Sequence, residues 1–356
     1  MSEIAPPDAA RESLPRRLLR MLLTQRIALL VVLIVLVVVW FTVLGSGGYL
    51  SAPYDAGYLA STLINAVPLA MLGLAELLVI SSGRGGIDLS VGSIVSLAGM
   101  TFGFAYGEWG WPLWLAILLA ALVGGALGAI NGFLVAYLGF PALITTLATY
   151  YAYKSLAIVI NHQQPIGTAP IQQLFSTARS VQLPVIGEFL PAIPLGIFTF
   201  LLPTVVVVWV VLARGSDGRR LYAIGTNDVA AEWSTINVRA TRFKAYLLAG
   251  VISGLVSVVT VAQFASARPD AGTSGNGMAL PAITIAVLGG VAITGGVGRV
   301  AGVVLATLLV VWLNAGILLA FVGNTGSQYQ LAALGGVLVF AALLNGVAGR
   351  RYGGTR

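Results

Sequence analysis

The sequence predicts an all-α integral membrane protein. Of 356 residues, 58% are hydrophobic and only 9% are charged, and the apolar residues cluster in long runs. A soluble globular chain carries roughly a quarter charged residues, whereas a helix that spans a bilayer needs about 20 largely apolar residues. The chain also contains 44 glycines, and small residues allow membrane helices to approach closely.

The apolar runs predict about ten transmembrane helices. The runs at 87–107 and 280–297 are rich in Gly, Ser or Thr, so we expect some spans to be broken or re-entrant. The predicted spans are 27–45, 58–80, 87–107, 112–138, 141–160, 196–213, 244–266, 280–297, 300–322 and 328–348.

The positions of Lys and Arg predict the orientation. With the N-terminus in the cytoplasm and alternating sides, 16 of the 19 Lys and Arg residues lie on the cytoplasmic side, as the positive-inside rule requires. Both termini are therefore expected to be cytoplasmic, in the inner membrane of a bacterium. The predicted parts are a basic tail (1–26), a transmembrane permease domain (27–348) with an extracytoplasmic loop (161–195) and a cytoplasmic loop (214–244), and a second tail (349–356).

Several classes of chemistry are disfavoured. The chain has no cysteine and one histidine, His162, so a thiolate site, a metal site or a Ser-His relay is not expected. No G-x-x-x-x-G-K-S/T motif is present, so the chain does not hydrolyse ATP by that route. The net charge of +7 is explained by topology, so we expect a lipid bilayer and no nucleic acid as partner.

The cytoplasmic loop contains "NDVAAEWSTINV" (227–238), which predicts a short helix lying across the membrane face. Asn227 or Asp228 is expected to cap it, because their side chains accept the free N–H groups of a first helical turn. Residues Ala230, Ala231, Trp233 and Ser234 form a compact surface for another protein. A plain solvated loop helix is the alternative.

Five segments in order resemble the sugar-type permeases of ATP-binding-cassette (ABC) importers, the ribose, xylose and arabinose group. The resemblance covers roughly residues 55 to 348. Its segments are "GGIDLSVGSI" (85–94), "ALITTLATYYAYKS" (142–155), "GRRLYAIGTNDVAAEWSTINV" (218–238), "ARPDAGT" with "LGGVAITGGVGRVAG" (267–273 and 288–302), and "LNAG" (313–316).

This resemblance implies a membrane subunit of an ATP-driven importer. Its partners would be ABC ATPase subunits, an extracytoplasmic solute-binding protein and a second permease chain. ATP and Mg²⁺ would be used by the ATPase, and no cofactor would be bound by this chain. The cytoplasmic loop would be the coupling segment that docks on the ATPase, with Gly225, Asn227, Asp228, Ala230, Ala231, Trp233, Ser234 and Ile236 as its residues.

The sequence departs from the family pattern in two places that affect the partner. Thr235 stands where the coupling segment of the family has glycine, and "ALPAITI" (279–285) lacks two acids of the corresponding family segment. One chain of a heterodimer can lose features that its partner keeps, so one hypothesis is that this chain works beside a second, non-identical permease. A homodimer of a diverged subfamily is the alternative.

The segment "GGIDLSVGSI" lies at the predicted cytoplasmic end of the second and third spans. Asp88 is expected to cap the third span, where the helix dipole favours an anion, and Gly85 and Gly86 allow a sharp turn. A part in a cytoplasmic gate is the second interpretation and is compatible with the first. The gate or cap residues are Gly85, Gly86, Asp88 and Ser90.

Polar residues inside spans are candidates for the substrate pathway, because they are costly to bury in a bilayer. The candidates are Asn65, Glu76, Asn131, Tyr150, Lys154 and Asn314. Glu76 and Lys154 have opposite charges and could form an ion pair between two spans. The ring of Tyr150 could stack on a sugar. Hydrogen bonds that hold helices together are the alternative for each.

The function predicted from these observations is an ABC permease that imports a small polar solute, a monosaccharide or sugar-like molecule. A branched-chain amino-acid or nucleoside ABC permease is the nearest alternative. An ion-coupled secondary transporter is less favoured, because it needs membrane acids and only Glu76 lies well inside a span. We expect no enzyme activity and no catalytic residues.

Overall fold

A computed structural model describes residues 25–178, 191–274 and 277–352, without the side chains of 345–352. Residues 1–24 of the predicted N-terminal tail, 179–190 of the predicted loop at 161–195 and 353–356 of the predicted C-terminal tail lie outside these residues. The described residues are mostly helical, and an isolated antiparallel bridge joins Ile166 to Ala267.

The described residues form thirteen helices, two of which contain π-helical turns. Helix α3 continues into a π turn at Gly103–Glu108, and α7 begins and ends in π turns. The helices are α1 Arg26–Ser46, α2 Ala56–Ser81, α3 Val91–Phe102, α4 Leu113–Ala136, α5 Ala142–Val159, α6 Ala169–Ala178, α7 Ile197–Arg214, α8 Ser216–Thr226, α9 Asp228–Trp233, α10 Val238–Phe264, α11 Ala279–Leu288, α12 Val300–Ala320 and α13 Asn324–Tyr352.

Seven of these helices are long and apolar enough to cross a membrane: α1, α2, α4, α7, α10, α12 and α13. They coincide with seven of the ten predicted spans, so the prediction of an all-α membrane protein is confirmed. Helix α10 begins at Val238, six residues before the predicted span, because Asn237 caps it there by accepting a hydrogen bond from the Ala240 N–H at 2.9 Å.

The other three predicted spans differ. Helix α3 begins at Val91 rather than at 87, and α5 is less apolar because it carries threonines, tyrosines and Lys154. Helix α11 has 10 residues, a length of about 15 Å, or half of the hydrocarbon core. The span predicted at 280–297 is therefore broken, as its composition indicated, and it is non-helical from Gly289 to Arg299.

Helix α4 packs closely against the buried helix α10. A Cβ atom at Gly124 would lie 2.3 Å from the Gly250 carbonyl oxygen, and one at Gly254 would lie 2.3 Å from that of Ala120. Small residues four apart on both helices allow this backbone contact. Helices α2 and α10 are mostly buried, whereas α1, α7 and α13 expose most of their apolar residues, as expected of helices that face lipid.

Two segments predicted to be cytoplasmic meet the broken part of the span predicted at 280–297 at one end of the bundle, which we call the coupling end. It consists of residues 82–88, α8, α9 and residues 289–299. The Gly296 N–H donates to the Ser81 carbonyl at 3.1 Å, and the Tyr222 hydroxyl donates to that of Gly298 at 2.8 Å. The Ile166–Ala267 bridge joins two predicted extracytoplasmic loops. It lies against Gly103, at the start of the π turn that continues α3.

Candidate functional site: the coupling end and a buried polar cluster

Helix α9 is the short helix predicted in the cytoplasmic loop. Its cap is Asn227, whose side-chain oxygen accepts the Ala230 N–H at 3.0 Å. The helix ends at Trp233, and Thr235 follows with φ +64°. That left-handed conformation favours glycine, so Thr235 stands at a backbone position that suits the glycine of the resembling family.

The outer face of α9 is apolar and exposed. Trp233 is 86% exposed and Val229, four residues earlier, is 57% exposed, so the two side chains lie on the same side of the helix. Ala230 and Ser234 are also exposed. The sequence predicted Trp233, Ala230 and Ser234 as surface residues but not Val229. The position of Val229 one helical turn before Trp233 was the available signal.

The inner face of α9 packs against the bundle. Ala231 is buried in the same hydrophobic core as Leu221 and Ile224 of α8, and Ile236 packs partly buried against that core. Ala231 therefore holds α9 in place, and the prediction that it belongs to the outward-facing surface is wrong in this respect. A six-residue helix presents only one side outward, and the sequence alone did not give its rotation.

Asp228 ties α9 to the membrane helices. Its Oδ2 atom contacts the Arg84 Nε and lies 3.7 Å from Arg242 Nη2. Arg242 is buried and donates from Nη2 to the carbonyl of Ser82 at 3.2 Å. One buried guanidinium thus joins α9 to the C-terminal end of α2, and a buried charge of this kind needs its ionic partner.

A junction of glycines lies beside this ion pair and consists of Gly83, Gly225, Gly295 and Gly296. A Cβ atom at Gly225 would lie 2.0 Å from the Ser81 carbonyl oxygen and 2.3 Å from the Gly296 nitrogen. The other three have positive φ, from +76° to +94°. Gly225 is therefore a packing residue of the coupling end. Burial also raises the pKa of the nearby Tyr222 phenol above its ordinary value.

Asp88 lies in a buried polar cluster at the base of α3. Its Oδ1 accepts hydrogen bonds from the Ser90 N–H at 2.9 Å and from the Ser90 hydroxyl at 2.6 Å. The helix begins at Val91, with Ser90 in the N-cap position. Asp88 therefore closes a turn that precedes the helix. The prediction that it accepts N–H groups of the first helical turn is wrong, because the N–H that it accepts belongs to Ser90, one residue before that turn.

Three further helices supply the rest of this cluster. The Asn131 amide donates to the Ser90 hydroxyl at 2.7 Å, and the Tyr153 hydroxyl lies 3.5 Å from Asn131 Oδ1. Glu76 Oε2 accepts the backbone N–H of Asp88 at 3.4 Å. The cluster thus joins α2, α3, α4 and α5, and it brings together two of the six predicted pathway residues, Glu76 and Asn131.

Glu76 and Asp88 form a buried pair of acidic side chains. Both side chains are completely buried. Within the described residues, Glu76 Oε1, Asp88 Oδ2 and the buried Tyr246 hydroxyl make no hydrogen bond. Arg242 and Tyr246 were not predicted. Their spacing of four residues, which places both on one face of α10, was the available signal.

Gly85 and Gly86 form the turn that leads into the cluster. Gly85 has φ +65°, and a Cβ atom at Gly86 would lie 2.6 Å from the Val79 carbonyl oxygen. The glycines are thus required by backbone conformation at one position and by close packing at the other.

The other predicted pathway residues lie apart from the cluster. Asn65 is exposed and accepts a hydrogen bond from Gln263 at 2.8 Å, and Asn314 is half-buried on α12. Lys154 lies over the ring of Tyr150, 5.7 Å from its centre. Among the described ion pairs none joins Glu76 to Lys154, so the pairing considered from the sequence is wrong. Glu76 is turned towards the Asp88 backbone instead.

In residues 25–178, 191–274 and 277–352, no group of three His, Cys, Asp or Glu side chains is placed to hold a metal ion. The geometry instead provides an exposed apolar helix face that is linked through Asp228 and Arg242 to the ends of two membrane helices.

Comparisons with known proteins identify the family of this chain. A profile of the family described as "Branched-chain amino acid transport system / permease component" matches residues 58–344. The autoinducer 2 import system permease protein LsrD of Klebsiella pneumoniae is 34% identical over 297 residues, which are 82% of this chain and 85% of that protein. LsrD of Photorhabdus luminescens is 33% identical over 295 residues, which are 81% of this chain and 83% of that protein.

No solved structure matches this chain. The family profile covers most of the chain, and the LsrD relatives are related along more than four fifths of their own length. The chain therefore belongs to the family of permease components of ABC importers, and it is a multi-pass transport subunit of the bacterial cytoplasmic membrane.

Proposed function

We propose that this permease imports a small polar, sugar-like solute when a docked ATPase moves α9. The named relatives import autoinducer 2, and the sequence segments resemble sugar-type permeases. The observation that carries the coupling mechanism is the exposure of Trp233, 86%, on a helix that lies outside the spanning segments. An apolar residue in that position is typical of a docking surface.

The path of coupling runs from α9 to two membrane helices. An ATPase that pulls on Trp233 and Val229 moves Asp228, and the Arg242 guanidinium carries the displacement to Ser82 at the end of α2 and to α10. The ATPase binds and hydrolyses ATP with Mg²⁺, and this chain contributes no nucleotide-binding residue. Glu76 of α2 and Asp88 lie close in sequence to Ser82, where this link ends. Movement of the link would therefore shift the buried acids, which we assign to an inner gate.

The complete importer contains further partners in this proposal. An extracytoplasmic solute-binding protein delivers the solute, and a second permease chain completes the pathway. Thr235 and the loss of two acids in residues 279–285 support a non-identical partner. A homodimer is the competing assembly.

The coupling surface is tested by Trp233→Ala in the assembled importer. An interface tryptophan typically contributes 2 kcal/mol or more, so we expect the affinity for the ATPase subunit to fall about 30-fold and solute-stimulated ATP hydrolysis to be lost. Trp114→Ala is the matched control, since Trp114 is also exposed but lies at the opposite end of the bundle. Wild-type stimulation in Trp233→Ala would exclude α9 as the coupling helix.

Solute and assembly are tested in liposomes that contain this chain, its ATPase and its binding protein. Labelled autoinducer 2, ribose and leucine are compared as solutes, and uptake of leucine alone would contradict the sugar-like assignment. If uptake requires a second permease chain, the homodimer is excluded. If this minimal set matches the rate of the complete system, the heterodimer is excluded.

A further inference from the structure

An apolar groove runs along the side of the bundle between α7 and α10, and we call it the lateral groove. Its volume is about 570 Å³, within the range of roughly 300–1,000 Å³ that is usual for ligand pockets. Helix α2 forms its floor, and α6 with the start of α4 closes it at the end opposite the coupling end. Val207 and Val211 of α7 face Leu248, Val251 and Leu255 of α10 across it.

The lateral groove offers almost no hydrogen bonds to a polar solute. Its lining contains four polar side chains: Thr177, Thr199, Thr204 and Gln263. All three threonine hydroxyls donate to backbone carbonyls four residues earlier, at 2.7 to 3.1 Å. Gln263 donates to Asn65 at 2.8 Å. A sugar placed here would lose its hydration without replacement, so an occupant must be an apolar chain.

Cationic side chains stand where the groove reaches the coupling end. Lys244 lies one helical turn beyond Leu248, and Arg214 lies one turn beyond Val211. Lys244 and Arg220 share a single partner, Asp217, at 3.2 and 3.7 Å. The three cations therefore exceed the one acid, and the group carries net positive charge.

Trp209 marks the membrane surface beside these cations. It is half exposed, and the Arg214 guanidinium lies 5.5 Å from the centre of its ring. Tryptophan and arginine are enriched at the interface between hydrocarbon and water. An apolar groove that ends in basic residues at this level matches the chemistry of a lipid with a negative headgroup.

We propose that the lateral groove binds an anionic glycerophospholipid, with an acyl chain between α7 and α10 and the phosphate beside Arg214 and Lys244. The lipid fastens α7, which exposes most of its residues, to the buried helix α10. This site is separate from the coupling surface on α9 and does not depend on the solute.

The test is thermal unfolding of the full-length permease in detergent, titrated with phosphatidylglycerol or phosphatidylethanolamine. We expect phosphatidylglycerol to raise the Tm and phosphatidylethanolamine to leave it nearly unchanged. Val207→Trp, which fills the groove, should abolish the rise. Val206→Trp is the matched control, because Val206 is also exposed on α7 but does not line the groove.

Arg214→Gln tests the headgroup independently of the groove. A basic residue at the membrane surface attracts an anionic headgroup, so Arg214→Gln should raise the half-saturating phosphatidylglycerol concentration about five-fold. Arg239→Gln, the matched control, should leave that concentration unchanged. The proposal is overturned if Val207→Trp responds like wild type, if Arg214→Gln binds phosphatidylglycerol like Arg239→Gln, or if phosphatidylethanolamine stabilises the protein equally.

Discussion

At the scale of single residues, Arg242 is where helix α9 meets the membrane helices. Its guanidinium is buried, donates to the Ser82 carbonyl and pairs with Asp228. Asp217 offers a useful contrast, since it pairs with Lys244 and Arg220 in solvent. The two aspartates lie in the same loop, but only Asp228 neutralises a buried cation.

We therefore predict that Asp228→Asn is far more damaging than Asp217→Asn. Removing one partner of a buried pair costs about 3 kcal/mol or more, whereas exposed pairs contribute less than about 1 kcal/mol. Thermal unfolding of the purified variants in detergent measures the difference. Equal stability of the two variants would show that Arg242 does not depend on Asp228.

Gly225 is predicted to tolerate no side chain. Its absent Cβ would meet the backbone of both Ser81 and Gly296, and backbone atoms cannot move aside as a flexible side chain does. Gly225→Ala should lower the free energy of unfolding by about 1–3 kcal/mol. Gly336→Ala, on an open face of α13, should not lower it, and a Gly225→Ala variant as stable as wild type would contradict the packing of the glycine junction.

At the scale of helices, the contact between α4 and α10 depends on glycine in both partners. A Cβ atom at Gly250 would lie 2.3 Å from the Gly124 carbonyl oxygen. The attraction between membrane helices comes from close packing, since lipid is as apolar as leucine. Any bulky residue at this contact therefore separates α4 from the buried helix α10.

Gly250→Leu is accordingly predicted to prevent assembly of the folded bundle. Fluorescence-detected size-exclusion chromatography of detergent extracts should show aggregated or absent protein. Gly335→Leu, which adds the same side chain where nothing lies within 4 Å, should elute like wild type. A monodisperse Gly250→Leu protein would mean that α4 and α10 are not packed through their glycines.

At the scale of the whole molecule, the topology predicts which loops face the extracytoplasmic side of the membrane and which face the cytoplasm. Gln172 of α6 and Ser234 next to α9 are both exposed, and the chain has no native cysteine. An impermeant thiol reagent added to intact cells should label Gln172→Cys and leave Ser234→Cys unlabelled. Reversed labelling would invert the orientation, and permeabilised cells, in which both should react, provide the control.

The sequence by itself determined the class of protein and the position of most spans. Transfer of a helix into a bilayer depends on the composition of one continuous run of residues, and that quantity can be read along the chain. The same reading identified the weakness of 280–297, because glycines that adopt positive φ, such as Gly290 and Gly295, interrupt a helix locally. Asn227 as a cap is likewise a local property.

Only the tertiary structure decided which polar residues meet. Glu76, Asp88 and Asn131 come from three segments, and their contact depends on how each helix is rotated and crossed by its neighbours. The same is true of α9, where rotation buries Ala231 and exposes Trp233. These rotations are fixed by steric fit between surfaces far apart in sequence, so no local pattern of apolar and polar residues contains them.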